Sequence, residues 1–260
     1  MDQSNQPLDN FSTRPQEPAT MESAIGDLAR RYPNLMAEPT EDYQNQHRAF
    51  HRAEMARRES RYQSSWSDAV EGLGDRYRGC RLNNYEVNSA NRAAHAAVTA
   101  YCENIREHVQ DGSCLVFYGP SGTGKDHLMV AALHEACLAG SHVRWINGLD
   151  WFGDNRDAID RGDTEKAAIE RLARPAVLAI SDPKPPFGKL SDYQASMLFR
   201  LVDRRYRERR PTWITINVAK GIEAASTIGS AVYDRLSDRC VAVPCFWESY
   251  RKPISKKEQL

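Results

Sequence analysis

Residues Phe117 to Val130 read FYGPSGTGKDHLMV, a short apolar run that ends in a glycine-rich turn and passes directly into a helical pattern. Upstream, Cys114 to Tyr118 (CLVFY) has the length and composition of a buried strand. Gly119, Gly122 and Gly124, interleaved with Pro120, Ser121 and Thr123, let the backbone turn so closely that consecutive amides face inward, and such amides bind phosphate oxygens. Lys125 supplies a point charge for β and γ phosphates, and the helix that starts there adds its positive N-terminal end. G-x-x-G-x-G-K between an apolar strand and an apolar helix therefore reads as a nucleotide site with Gly119 through Lys125, Asp126 and His127 as candidate residues. The competing reading is a tight strand-to-helix turn with a surface lysine. One letter departs from the usual pattern: Asp126 stands where a Ser or Thr hydroxyl would hold Mg2+.

Downstream, Leu128, Val130, Leu133 and Ala136 give the helix an apolar side, and Gly140 closes it. HVRWIN (His142 to Asn147) reads as a second strand, and the charged stretch Gly148 to Arg174 as two short helices parted at Arg161-Gly162-Asp163. PAVLAISD (Pro175 to Asp182) is a continuous apolar run stopping at a carboxylate, the pattern of a central parallel strand that delivers an acid to the sheet edge. Ser191 and Gln194 form a capping box for a helix that turns Met197, Leu198, Leu201 and Val202 inward, while Arg204, Arg205, Arg207, Arg209 and Arg210 crowd its end before Pro211. TWITIN (Thr212 to Asn217) is a fourth strand; after a polar connection, Ala231 to Asp238 forms a short helix and CVAVP (Cys240 to Pro244) a fifth strand.

Upstream of the first strand, Ser89 to Val109 predicts one helix with Ala93, Ala94, Ala97, Val98, Tyr101 and Ile105 on a single face, preceded by an aperiodic linker, YRGCRLNNY, at Tyr77 to Tyr85. Glu41 to Ser65 is helical but too polar for a core; its Arg48, Arg52, Arg57, Arg58 and Arg61 read as a solvated face or as an arm that docks a partner protein or nucleic acid. His47 and His51 have the spacing of zinc ligands, but no nearby Cys completes a site and no metal is expected there. Thr20 caps a short helix carrying Ile25, Leu28 and Ala29, and residues 1–19 have too few large apolar side chains to order. The expected organisation is a disordered tail (1–19), a helical partner-binding region (20–76) and a nucleotide domain (77–260).

Composition narrows the function classes. With 35 Lys+Arg against 35 Asp+Glu, no global basic field exists, so any contact with nucleic acid must be local. The six cysteines contain no C-x-x-C pair and read as buried free thiols. No apolar run is long enough to span a bilayer, and MDQSNQPLDN is polar where a signal peptide would be basic and then apolar; a cytoplasmic protein is the expectation.

Five strands alternating with helices, with the glycine loop after the first, specify a doubly wound parallel α/β domain. The phosphate loop, Asp182 and Asn217 then all lie at the carboxyl ends of strands, the edge where such sheets bind ligands. Asp182 is placed to serve Mg2+ or polarise water, and Asn217 to hold a water against the γ phosphate; the bland alternatives are a loop carboxylate and a strand-end turn residue. Read without gaps, Val177 to Ile180 put Ser181 at a metal-binding position and Asp182 at a catalytic one. Asp126 and Ser181 thus look like an exchanged pair, carboxylate for hydroxyl, with Asp126, Ser181 and Asp182 the candidate metal oxygens. Two other readings stay open: Asp182 is itself the metal ligand, or the site is degenerate and Asp126 caps its helix.

GTGKDHL at Lys125, VLAISDP, LFRLVDRRYRERRPTWITIN, YDRL at Tyr233 to Leu236 and the closing WESYR together resemble the DnaC/IstB group of AAA+ ATPases, over roughly Tyr77 to Arg251. That group comprises replicative-helicase loaders and transposition helpers. The resemblance implies a P-loop fold with sheet order 5-1-4-3-2, ATP and Mg2+ as cofactors, homo-oligomers with ATP at subunit interfaces, and a helicase or transposase as partner. It also implies sensor roles for Asn217 and Arg251 and an arginine-finger role for Arg235, although Gly229-Ser230-Ala231 lacks an arginine that loaders often carry there. By the same likeness, Leu149 to Arg174 falls where relatives steer single-stranded DNA; the arginines at 204 to 210 are the other candidate DNA contact. A small-molecule P-loop kinase and a nucleotide-gated module with little turnover are the competing classes.

Overall fold

Five parallel strands, β1 (Cys114–Gly119), β2 (Val143–Asn147), β3 (Val177–Ser181), β4 (Thr212–Asn217) and β5 (Cys240–Pro244), make one sheet in the order β2-β3-β4-β1-β5. This is the expected order read from the other edge. The computed structural model describes residues 26, 29–32, 40–186 and 188–251. The expected tail and the Thr20 cap lie outside them.

The chain divides into compact units at Met1–Ala56 and Arg57–Leu260. In the first, the described residues are helical from Glu41, part of α1 (Glu41–Ala69), and Tyr43, Phe50 and Met55 are exposed. The His47 and His51 Nε2 atoms lie 3.3 Å apart, and among the described residues no third acidic, His or Cys side chain joins them.

In the second unit, register decides what meets at the sheet edge. Gly119 pairs with Asn217 across β1 and β4, and Asn147 with Ser181 across β2 and β3. Apolar residues cover both faces. On one, beyond the single-turn α2 (Asp75–Arg78), α3 (Arg92–Glu103), α4 (Ile105–Asp111) and α5 (Lys125–Leu138) bury Val98, Tyr101, Leu128 and Leu133 against Phe117 and Trp213. Trp66, Ala69, Val70 and Leu73 lie in this same core, so the boundary expected after residue 76 falls inside the unit. On the other face, α6 (Gly148–Asp160), α7 (Glu165–Ala173) and α8 (Asp192–Arg207) bury Trp151, Phe152, Leu172, Leu198 and Leu201 against Leu178, Ile180 and Ile214. Each such side chain contributes about 1.5–3 kcal/mol.

Three expectations are corrected. The helix expected over 89–109 is two, parted at Asn104 (φ −115°, ψ 31°), whose amide bonds Tyr101 O in a tightened last turn. The polar connection after β4 holds a 3₁₀ turn (Gly221–Glu223) and α9 (Ala224–Ile228), because the Glu223 carboxylate accepts from the Ala219 and Lys220 amides at 3.2 Å each and folds the chain. α10 (Ser230–Ser237) follows.

The third correction concerns the arginines at the end of α8. Arg205 is fully buried, and its guanidinium donates to Thr212 Oγ1 and to the carbonyls of Leu172, Ala173, Pro175, Ala176 and Pro211 at 2.7–3.2 Å. It binds the turns that enter β3 and β4. Arg204 pairs with Glu208 and Glu170, Arg207 with Asp203, and Arg210 with Glu208 and the Ala173 and Arg174 carbonyls. Of the five, Arg209 alone has a side chain without a partner among the described residues. Arg205 is thus a structural residue inside the fold, while Arg204, Arg207 and Arg210 sit part-exposed in surface ion pairs.

Candidate functional site

β1 ends where the chain must reverse under its neighbours. Gly119 adopts φ 149°, and a Cβ there would stand 2.2 Å from Cys245 O, so only glycine fits. Gly124, at φ 83°, is the second such point: a Cβ would meet the Tyr85 ring at 3.0 Å. Between them the loop is held from outside. Trp247 Nε1 donates to Thr123 O (2.9 Å), Tyr85 OH to the same oxygen (3.4 Å), and the Tyr250 amide to Gly122 O (2.9 Å). Tyr250 OH reaches Glu86 O (2.8 Å) and is bonded by Asn91 Nδ2. The closing segment thus packs onto the phosphate loop.

Inside the loop, Lys125 is only 4% exposed, and its Nζ donates to Gly119 O (2.9 Å) and Pro120 O (2.6 Å). Burial pulls this ammonium below its ordinary value. The group is a desolvated cation held at the centre of the turn. Thr123, also buried, bonds Pro120 O at 3.0 Å and keeps the loop closed.

One residue into the helix, Asp126 Oδ1 accepts from Ser181 Oγ (2.7 Å) and from Thr215 Oγ1 (3.1 Å). Asp126 and Ser181 therefore touch. Asp182 follows at φ 40°, a left-handed conformation rare outside glycine; its amide is bonded by Thr215 Oγ1 (3.1 Å) and its carboxylate by Asn217 Nδ2. Burial pushes the Asp182 carboxyl above the usual range, against the Asn217 bond that favours the ionised form. His127 turns away from the loop: its Nε2 lies 3.0 Å from both Arg81 O and Asn84 Oδ1, so it pins the 81–85 segment, and burial lowers its basicity.

These groups line one cleft of about 730 Å³, within the range of a nucleotide site. Ser121, Gly122, Gly124, Lys125, Asp126, His127, Ser181, Asp182, Asn217 and Arg251 all contribute to it. Its far wall is Arg76, Tyr77, Cys80, Tyr85 and Glu86, which places the expected linker in the pocket. Arg235 is elsewhere: its guanidinium pairs with Asp203 (2.8 Å), lies 4.6 Å over the Phe199 ring and lines a hollow with Asp111 and Thr212 at the opposite edge of the sheet. Tyr85 and Thr215 were missed by sequence reasoning, since an aromatic in an aperiodic stretch and a Thr inside a strand carry no motif of their own, and Trp247 and Tyr250, though part of the closing WESYR, were given no role.

The donor set suits the expected cofactors. A buried lysine in a glycine loop suits phosphate, and Asp126, Ser181 and Asp182 offer hard oxygens of the kind Mg2+ takes. Among the described residues no three acidic, His or Cys side chains cluster, so an ion here draws on a hydroxyl and on phosphate oxygens as well.

Residues 32–258 match the family described as IstB-like ATP binding protein. The chain belongs to that family. Among curated relatives, the replicative helicase loader DnaC of Escherichia coli strain K12 is 27% identical over 190 residues, 72% of this chain and 75% of that one. A protein of insertion sequence IS5376 from Geobacillus stearothermophilus is 32% identical over 141 residues, covering 53% of this chain and 55% of its own. In fold, this IstB-like protein is similar to a crystal structure of the DnaC helicase loader (TM-score 0.59, 23% identity, 66% of this chain and 99% of that one). It is also similar to the replication initiator DnaA bound to AMPPCP and single-stranded DNA (TM-score 0.55, 20% identity, 68% and 51%). The fold is accordingly that of an AAA+ P-loop NTPase. ATP binding is the property its family name carries.

Proposed function

We propose that this protein is an ATP-dependent loader that opens or delivers a replicative helicase during DNA replication, acting in the cytoplasm as an oligomer when ATP is bound. The observation that carries this reading is the extent of the likeness to DnaC, three quarters of that protein's length, over a cleft in which the phosphate loop, Asp182 and Asn217 converge.

The residues divide the work as follows. Phosphate entering the loop competes with the Gly119 and Pro120 carbonyls for Lys125 Nζ, which then neutralises the β and γ oxygens. Asp126 and Ser181 hold the metal side, and Mg2+ when bound supplies charge neutralisation and a fixed phosphate geometry. Asp182 orients and deprotonates water, Asn217 holds that water against the γ phosphate, and Arg251 at the mouth senses nucleotide. Turnover is slow in this reading. Gly229-Ser230-Ala231 lacks the arginine that loaders often carry there, and Arg235 would have to leave both Asp203 and Phe199 to act on a neighbouring subunit.

Single-stranded DNA is a secondary partner here. The exposed side of α6 carries Asp150, Asp154, Asp157 and Asp160 against Arg156, which repels phosphate, and the α8 arginines are mostly engaged. Any binding is weak and salt-sensitive.

The test pairs the chain with a replicative helicase of its own host. ATP should promote complex formation, and helicase deposition on single-stranded DNA should fail with Lys125→Ala. Nucleotide affinity unchanged in that variant, by calorimetry, sinks the site assignment; normal nucleotide binding without any helicase complex sinks the loader reading. A second reading, an ATPase that assists a transposase, draws support from the 32% identity to the IS5376 protein, and selective complex formation with a transposase would favour it.

A further inference from the structure

Alternation along TWITIN puts Trp213, Thr215 and Asn217 on one face of β4 and Ile214 and Ile216 on the other. Ile214 and Ile216 belong to the core under α6 to α8, and Trp213 to the core under α3 and α5. Thr215 therefore looks toward the phosphate-loop helix, and it is 1% exposed. At such a depth a valine would fill the same volume without a polar group, and a hydroxyl is costly unless it is fully bonded. This one is bonded twice: it donates to Asp126 Oδ1 and accepts from the Asp182 amide, each at 3.1 Å. Its partners lie 89 and 33 residues away in sequence, on the first turn of α5 and just beyond β3. The second bond holds Asp182 in its left-handed conformation at φ 40°, and that conformation turns the carboxylate to Asn217.

We propose that Thr215 is a positioning residue for the metal side of the cleft: its hydroxyl fixes Asp126 and Asp182 relative to each other, so that Mg2+ and nucleotide are bound together rather than independently. This rests on the ATP-binding reading. Thr215 itself touches neither nucleotide nor ion. Groups that orient metal ligands through one hydrogen bond typically change metal affinity by about 10–100-fold when removed.

The experiment measures nucleotide affinity by calorimetry with Mg2+ and with EDTA, beside thermal unfolding without nucleotide, for the full chain and for Thr215→Val and Thr215→Ser. Expected is a Mg2+ enhancement of affinity that falls about tenfold in Thr215→Val, while affinity in EDTA is unchanged and Thr215→Ser keeps the enhancement. If valine disturbs the strand, Thr215→Ala is read in its place. A full Mg2+ enhancement in Thr215→Val or Thr215→Ala, even with a lowered melting temperature, makes the bond merely structural and overturns the proposal. A wild-type chain that binds nucleotide equally with and without Mg2+ also overturns it but leaves ATP binding intact. A wild-type chain that binds no nucleotide overturns the ATP reading itself.

Discussion

The contact between Ser181 Oγ and Asp126 Oδ1, 2.7 Å, gives the exchanged-ligand reading a quantitative test. Ser181→Asp alone would place a second carboxylate against the first in a partly buried site. At about 4 Å and an effective dielectric constant of about 20, that repulsion is about 4 kcal/mol, reduced by whatever separation or proton uptake relieves it. Asp126→Thr alone removes the acceptor of two hydroxyls, Ser181 and Thr215, and costs about 1–3 kcal/mol for groups left unpaired. Made together, the two changes restore one hydroxyl and one carboxylate in contact with their direction reversed. The double variant should therefore recover most of the loss, with a coupling energy of about 2–4 kcal/mol, far above the roughly 0.5 kcal/mol scatter of independent sites. Urea unfolding reads the contact, and Mg2+-dependent ATP hydrolysis reads the chemistry. Strictly additive losses in both would refute the exchange. Recovered stability with hydrolysis still absent would reduce the pair to a structural hydrogen bond and leave Asp182 as the metal ligand.

Arg205→Met should cost about 3 kcal/mol or more, because the Leu172, Pro175 and Ala176 carbonyls lose their donor in a dry site at about 1 kcal/mol each, while Ala173 keeps Arg210 and Pro211 keeps the Leu178 amide; Arg205→Lys should recover little, since an ammonium cannot span that fork. Urea unfolding measures it, and a variant of normal stability with reduced DNA affinity would return this arginine to the surface. Nucleotide affinity should fall as pH rises, beginning below the range of an exposed lysine, because burial lowers Lys125 and phosphate binding needs its charge; Lys125→Arg should flatten the profile. The same shift acts on the empty fold with opposite sign: in that window the unfolded chain binds more protons, so stability rises with pH. Gly124→Ala should weaken nucleotide binding severalfold and destabilise by about 1 kcal/mol, from φ 83° and a Cβ only 3.0 Å from the Tyr85 ring; unchanged affinity in calorimetry would mean that the loop has slack to give.

Much of this was legible because sheet burial writes apolar runs of fixed length, and a run that stops on a polar letter marks the ligand edge. Asp182 and Asn217 were found that way, and register then brought Asn217 opposite Gly119. Strand order was not in the periodicity at all and came from the family resemblance. What escaped were residues whose type disagrees with the position that the pattern gives them. Arg205 sits seven residues after Leu198 and three and four after Val202 and Leu201, the buried phase of α8, yet among five arginines its letter looked like surface. Thr215 occupies the inward phase of β4 between Trp213 and Asn217, yet threonine in a strand passes for β-propensity. Tyr85 lay in a stretch with no period to violate, so only its contact with Gly124 reveals it. Phase therefore carries more information than composition here. A polar side chain on the buried phase does best to find its bonds inside the protein, and Arg205 and Thr215 found them in other elements: Arg205 on the turns that enter β3 and β4, Thr215 on the Asp126 carboxylate and the Asp182 amide of the nucleotide cleft.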